Sequence, residues 1–253
     1  MEQLVRHPAM FFLLSSMLMT LGTLGSVLFL RRKRQLDRDE QADFSIVQAA
    51  TLTLLALLIG FSFSMAVSRY DQRKNYEEEE ANAIGTEFLR ADLMPAPSAA
   101  LTKSLLKEYL QLRIAFYQNA NGENLKSINI QTAQVQESLW RVVLKEGKNQ
   151  PTPVMALAVG GMNDVLNSQG YTQAAWRNRI PVSAWALMMM VALFCSMLIG
   201  YSARCNTVKN ATLFIMPLMV SVSMALIADI DSPRGGFIHV APQNLQSLQR
   251  GLM

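Results

Sequence analysis

Histidine and cysteine are almost missing from this chain, with two of each in 253 residues. Metal sites and disulfide frameworks need several such residues at set spacings. His7 and His239 stand near opposite ends, and Cys195 and Cys205 are ten apart, with Cys205 beside Arg204. Neither pattern fits a zinc site or a disulfide scaffold. Neither histidine has a nucleophile beside it, and no phosphate-loop pattern surrounds Gly160 and Gly161. The expectation is a protein without metal or cofactor and without enzymatic activity. Charge is scarce as well. Charged residues make up 17% and apolar ones 51%, where soluble domains carry roughly 25% charge. Mean hydropathy is +0.17.

The apolar residues are gathered into four stretches, at 8–30, 44–67, 182–201 and 211–230. Each approaches or exceeds the ~20 residues that cross a bilayer as a helix. Apart from Asp229 near the end of the fourth, none carries an acidic or basic side chain. A cleaved signal peptide is excluded for the first: Arg6 is the one cation ahead of it, its core is long, and Arg31, Arg32, Lys33 and Arg34 follow. The net charge of +4 is therefore read as membrane topology rather than nucleic-acid binding. The short loops after the first and third stretches carry Arg31, Arg32, Lys33, Arg34, Arg38, Arg204 and Lys209. By the positive-inside rule these loops face the cytoplasm, leaving the segment between the second and third spans extracytoplasmic.

That segment, residues 68–180, is polar with apolar residues at helical spacing. One helix continues from the second span and stops at Pro95 and Pro97. A second is expected from Ser98, taken as N-cap, to Gln118, with a stripe of Leu101, Leu105, Tyr109, Leu112 and Phe116. A turn at 119–122 leads to a third over 123–146, and a fourth runs from Val154 to about 168–170, with "YTQAAWRNRI" (171–180) either ending it or resuming a helix into the third span. Trp176 and Arg177 suit an interface anchor. The tail is expected to pack on the bundle or stay mobile. The domain plan is thus 1–67 for spans one and two, 68–180 for a helical bundle, 181–230 for spans three and four, and 231–253 for a C-terminal tail.

Extending the second span as one helix, with 3.6 residues per turn, lines up Thr53, Leu57, Gly60, Ser64, Asp71, Glu78 and Asn82 within about 40°. Small and hydroxylated residues of this kind mark either close helix packing or a polar path. On the other side lie Arg69, Arg73, Glu77 and Glu80, with Arg73 and Glu77 at i,i+4 spacing.

The run from Gly60 to Lys74, "GFSFSMAVSRYDQRK", followed by "EEANAIGTEFLRADLMP" from Glu79 to Pro95, resembles the bestrophin-like domain family of bacterial membrane proteins. The matching positions are Glu79, Glu80, Ala81, Asn82, Ala83, Ile84, Gly85, Thr86, Leu89, Arg90, Asp92, Leu93 and Pro95, then Asp229, Asp231, Pro233, Arg234 and Gly236. The resemblance implies an all-α membrane protein, four transmembrane helices per protomer in a 2+2 arrangement, with a helical bundle between helices 2 and 3. It also implies distant kinship to bestrophins, oligomeric ion channels whose second membrane helix lines the pore. Thr53, Leu57, Gly60, Ser64, Asp71, Glu78 and Asn82 would then be pore-lining, with Leu57 as an apolar gate. Glu79, Glu80, Arg90, Asp92, Asp229, Asp231 and Arg234 would be a structural motif, with Asp229 and Asp231 paired to arginines such as Arg90 or Arg234. Two features depart from the bestrophins. Phe61 and Phe63 are two apart and face different directions, unlike an aromatic neck, and no calcium clasp is evident.

The functional expectation is an oligomeric ion channel, leaning to cations because carboxylate rings favour them, with anion passage possible by analogy. One four-span protomer cannot enclose a roomy channel, so a homo-oligomer, tetramer or pentamer, is implied. The partners would be permeant inorganic ions and the lipid bilayer of a bacterial inner membrane, with no nucleic acid. A competing reading is a membrane-anchored sensor or assembly module whose helical domain binds a ligand or partner. A transporter would want broken spans, of which Pro217 is the one hint.

Overall fold

The computed structural model describes residues 7–30, 37–119, 124–202 and 212–252. The basic residues Arg31, Arg32, Lys33, Arg34, Arg204 and Lys209, together with Cys205 and most of the turn at 119–122, lie outside the described residues. Among the described residues every regular element is helical. In chain order these are α1 (Pro8–Gly25) with a π-helical turn (Ser26–Leu30), α2 (Arg38–Arg90) closed by a 3₁₀ turn (Ala91–Leu93), α3 (Ala96–Gln118), α4 (Leu125–Asn149), α5 (Pro153–Arg177), α6 (Val182–Ser202), α7 (Thr212–Asp231) and α8 (Gln243–Leu252). Four of the helices are long and apolar enough to cross a membrane. The chain folds as two compact units, Met1–Ser68 with Arg179–Ile238, and Arg69–Asn178 with His239–Met253.

The first unit holds α1, the apolar part of α2, α6 and α7. Pro8 opens α1 at a position where its missing N–H costs nothing. Phe11, Ser15, Met19 and Thr23 are buried at four-residue intervals, so one narrow face of α1 packs inward. Met10, Leu13, Leu14, Met17, Leu18 and Leu21 stay exposed on the rest. Water would not tolerate so continuous an apolar surface, and lipid does. Where α1 meets α6, small residues let the backbones approach: a Cβ on Gly200 would collide with the Thr23 carbonyl, and one on Gly22 would lie 2.8 Å from Leu193. Hydroxyls tie the same seam. Thr23 Oγ1 donates to the Ser196 carbonyl at 3.2 Å and Ser26 Oγ to that of Met197 at 2.7 Å. Phe11 meets Trp185 edge to face, a favoured aromatic geometry.

The second unit is a helical bundle around Ile84, Leu106, Tyr109, Leu110, Leu139, Val143, Met162 and Val165, all fully or nearly fully buried. Four local expectations need correction. Ser98 is not the N-cap of α3, which begins at Ala96; its hydroxyl instead donates to Glu146 at 2.9 Å. Of the expected α3 stripe, Tyr109 and Phe116 are buried and Leu105 and Leu112 pack half-buried against the core, but Leu101 is exposed. The buried face is wider than that stripe, taking in Leu106, Leu110, Arg113, Ile114 and Tyr117 as well. Helix α5 does not stop at 168–170 but runs to Arg177, since Ser168, Thr172, Ala175 and Trp176 continue its buried face. Trp176 is consequently a core residue, 7% exposed and packed on Phe116 and Tyr117, not an interface anchor. The tail contributes a helix, α8, whose Leu245 is fully buried.

Candidate ion pathway and motif helix

Helix α2 carries both the polar stripe and the motif. In the membrane-spanning part, residues 44–67, Leu55 and Ala66 are buried while Thr53, Leu57, Gly60 and Ser64 are exposed. Thr53 satisfies its own hydroxyl by donating to the Ala49 carbonyl at 2.9 Å. Nothing lies within 4 Å of a Cβ built on Gly60, so its small size answers no contact inside the protomer. Gly60 itself borders an apolar hollow of about 560 Å³ between α2 and α7, lined also by Leu55, Ile59, Phe63, Met216 and Val220.

Beyond residue 68, Asp71, Glu78 and Asn82 are exposed as well. The face turned away from them is buried and charged: Arg73 and Glu77 are 1% exposed, Glu80 and Glu87 not at all. Every stripe residue is therefore open in the protomer, while the opposite face is spent on the fold.

Charge of this density survives burial only when paired and hydrogen-bonded. Glu80 accepts from Arg113 Nε on α3, from the Tyr117 hydroxyl at 3.3 Å and from Thr172 Oγ1 on α5 at 3.3 Å. The Arg113 guanidinium also lies 4.4 Å from the Phe116 ring centre, a cation–π distance. Burial, reinforced by the Glu80 charge, pushes the Tyr117 phenol above its ordinary range, so its hydroxyl remains a donor. Glu77 reaches elsewhere: it accepts from the backbone N–H groups of Asn244 and Leu245, both at 3.0 Å, and from Asn244 Nδ2 at 2.7 Å. A carboxylate is thereby placed on the orphan donors at the N-terminus of α8. Arg73 donates to the carbonyls of Ala175 and Asn178 at the end of α5, the end at which helix carbonyls lack intrahelical partners.

Glu87 is different. Its side chain is fully buried and neither oxygen has a hydrogen-bond partner. Burial raises the carboxyl to about 8, with Arg90 drawing it down and Asp164 pushing it up.

The remaining motif residues are placed as follows. Glu79 is exposed, Arg90 half-buried, and Asp92 pairs with Lys103 at 2.6 Å. In the first unit, Asp229 has no arginine partner among the described residues. Its carboxylate takes the N–H groups of Phe237 at 2.8 Å and Ile238 at 3.0 Å. Gly236 permits this clamp: its φ is +93°, and a Cβ there would strike the Asp229 carboxylate. Asp231 accepts from the Ile180 N–H, holding the entry to α6 against the end of α7. Arg234 is half-buried. Sequence reading missed Arg113, Tyr117, Thr172, Glu87 and Asn244. The first was detectable, as a lone arginine among apolar residues in "LQLRIAFY".

These features define a class: an all-α, multi-pass membrane protein with four spans and a helical bundle inserted between the second and third. The chain belongs to the Bestrophin-like domain family, whose model matches residues 14–245. By sequence, no curated protein matches it. Among solved structures, a bacterial Bestrophin homolog from Klebsiella pneumoniae is similar at 13% identity and a TM-score of 0.60, over 96% of both chains. A single-residue variant of that homolog gives a TM-score of 0.63 at 13% identity, over 97% of both chains. Likeness at this identity speaks for the fold.

Proposed function

We propose that the protein is an oligomeric ion channel of a bacterial inner membrane, in which α2 lines the pore. One observation carries the reading: Thr53, Leu57, Gly60, Ser64, Asp71, Glu78 and Asn82 share one helix face, and all are exposed in the protomer. A homo-oligomer, tetramer or pentamer, would surround its axis with that face. Thr53, Gly60 and Ser64 would form the narrow polar part and Leu57 an apolar gate. Rings of Asp71 and Glu78 would concentrate cations, with Asn82 offering neutral oxygens to hydrated ions. Selectivity for cations is the outcome these rings favour over the anion alternative.

The test is planar-bilayer recording of the purified protein under a salt gradient. Cation preference gives a reversal potential on the cation side of zero, and Asp71→Asn with Glu78→Gln moves it toward zero. Absence of any conductance across salts and voltages, or a double variant with an unchanged potential, refutes the assignment.

A second reading, a sensor or assembly module, draws on one feature. In the bundle unit, Gln111, Gln118, Gln246, Gln249 and Arg250 line an open cleft of about 510 Å³ between α3 and α8. Such amide-rich walls suit a small polar ligand. Conductance that persists unchanged after Gln111→Ala with Arg250→Ala sets this reading aside.

A further inference from the structure

The Glu87 carboxyl belongs neither to the exposed face of α2 nor to the Glu80 and Glu77 networks. It lies in the last turn of α2, pressed on Gly161 of α5. A Cβ on Gly161 would strike Glu87 Oε2 and also crowd Arg90 Nη1, so the absence of a side chain at residue 161 is what admits both groups. The charged groups facing Glu87 are Arg90 on its own helix and Asp164 on α5. On the adjoining face, Lys103 and Lys107 of α3 lie over the Phe88 ring at 5.0 and 5.8 Å, and Asp92 is held by Lys103. Both Glu87 oxygens are buried and have no hydrogen-bond partner among the described residues. An ionised carboxylate there forfeits hydration without compensation, whereas a neutral carboxyl loses far less.

We propose that Glu87 is a proton-binding site whose occupancy decides whether the end of α2 stays seated on α5. With the proton bound, the neutral carboxyl lies flat on Gly161 and the two helices keep their contact. When the proton leaves, the new charge is repelled by Asp164 and attracted to Arg90. It then turns off Gly161 toward the guanidinium and water, and the helix ends part. No other bond is made or broken. The ligand is the proton itself, and the affinity implied by burial puts the change in the mildly alkaline range. The inference goes beyond the channel reading and does not depend on it, because its readouts require no conductance.

The test is infrared difference spectroscopy of the detergent-solubilised full chain between neutral and alkaline pH, paired with amide hydrogen exchange. The wild type is expected to show a carboxylic-acid carbonyl band that disappears with a midpoint near 8, and Glu87→Gln to lack it. Exchange in α5 around residue 161, corrected for intrinsic pH dependence, should rise over the same interval in the wild type and stay level in the variant. Asp164→Asn should move the midpoint down and Arg90→Gln should move it up, which keeps the test decisive should Glu87→Gln fail to fold. The proposal is overturned if no neutral-carboxyl band depends on Glu87, if the midpoint ignores both neighbours, or if the band titrates while α5 exchange does not respond.

Discussion

Removing both members of the Glu80–Arg113 pair should cost far less than the sum of removing each alone. Each side chain is fully buried, and Glu80 is also the acceptor for Tyr117 and Thr172. Glu80→Leu leaves the Arg113 guanidinium charged in the core with only the Phe116 ring for company, and takes the acceptor from two hydroxyls. Breaking a buried pair this way costs about 3–5 kcal/mol; stranding the two hydroxyls adds about 1–3 kcal/mol each before relaxation. Arg113→Met strands the carboxylate instead but leaves it the two hydroxyl donors, so the expected loss is at the lower end of that range, about 3 kcal/mol. In the double variant the charges vanish together and Leu and Met fill comparable volume, so the remaining loss is mainly that of the two stranded hydroxyls, about 1–3 kcal/mol each before relaxation. The coupling energy is then about 3 kcal/mol or more, well beyond additive behaviour. Equilibrium unfolding of the detergent-solubilised protein, read by circular dichroism for all four forms, measures it. If the losses simply add, or if either single variant is nearly neutral, the pair is not the buried electrostatic tie that its geometry describes.

Other perturbations bear on separate parts of the molecule. Glu87 binds its proton more tightly folded than unfolded, since its carboxyl is raised from 4.5 to about 8. Stability from this group is therefore greatest below about 4.5 and declines by about 1.4 kcal/mol per pH unit as pH rises to about 8. Glu87→Gln removes that one-proton slope, and unfolding curves that stay parallel to wild type across the interval refute it. Gly200→Ala should destabilise by about 1–3 kcal/mol through overpacking against the α1 backbone, measured as a lowered midpoint of thermal unfolding. Gly60→Ala meets nothing in the protomer, so thermal stability of the monomeric form should change by less than about 0.5 kcal/mol, while single-channel conductance falls. Glu77→Ala should expose the first amides of α8 to rapid hydrogen exchange and cost about 1–2 kcal/mol; unchanged protection of residues 243–252 contradicts the role assigned to that carboxylate.

The spans were legible because a bilayer asks a simple question of a sequence, whether some twenty residues run without charge, and these answer it locally. The ends of three fall within a few residues of the apolar limits, whereas α2 runs beyond both limits of its stretch, from Arg38 to Arg90. The two faces of α2 were also legible, since a 3.6-residue period sorts Glu77 and Glu80 from Glu78 without knowledge of the fold. What those faces touch was not. Glu80 meets residues 33 and 92 positions away, and Asp229 turned out to serve amides of its own loop. Carboxylates look alike in sequence whether they pair with a guanidinium, cap a helix or lie buried, as Glu87 does. Helix α8 escaped notice for a related reason. Its leucines, Leu245, Leu248 and Leu252, do stand at i, i+3 and i+7 and pack on the core, but the segment is only ten residues long, and its N-terminal donors are met by a residue from the far side of the chain.

That last contact sets the order in which the protein can be completed. Glu77 and Leu245 are 168 residues apart, and α6 and α7 are translated in the interval between them. The nascent bundle, with α2 to α5 already made, must wait with the Glu77 carboxylate unanswered while two further spans enter the membrane. At a ribosomal pace of ~5–20 residues per second, the residues between α5 and α8 occupy several seconds. During this interval the bundle's Leu245 site stands open, so the bundle unit closes its core only once residues 243–252 have been made.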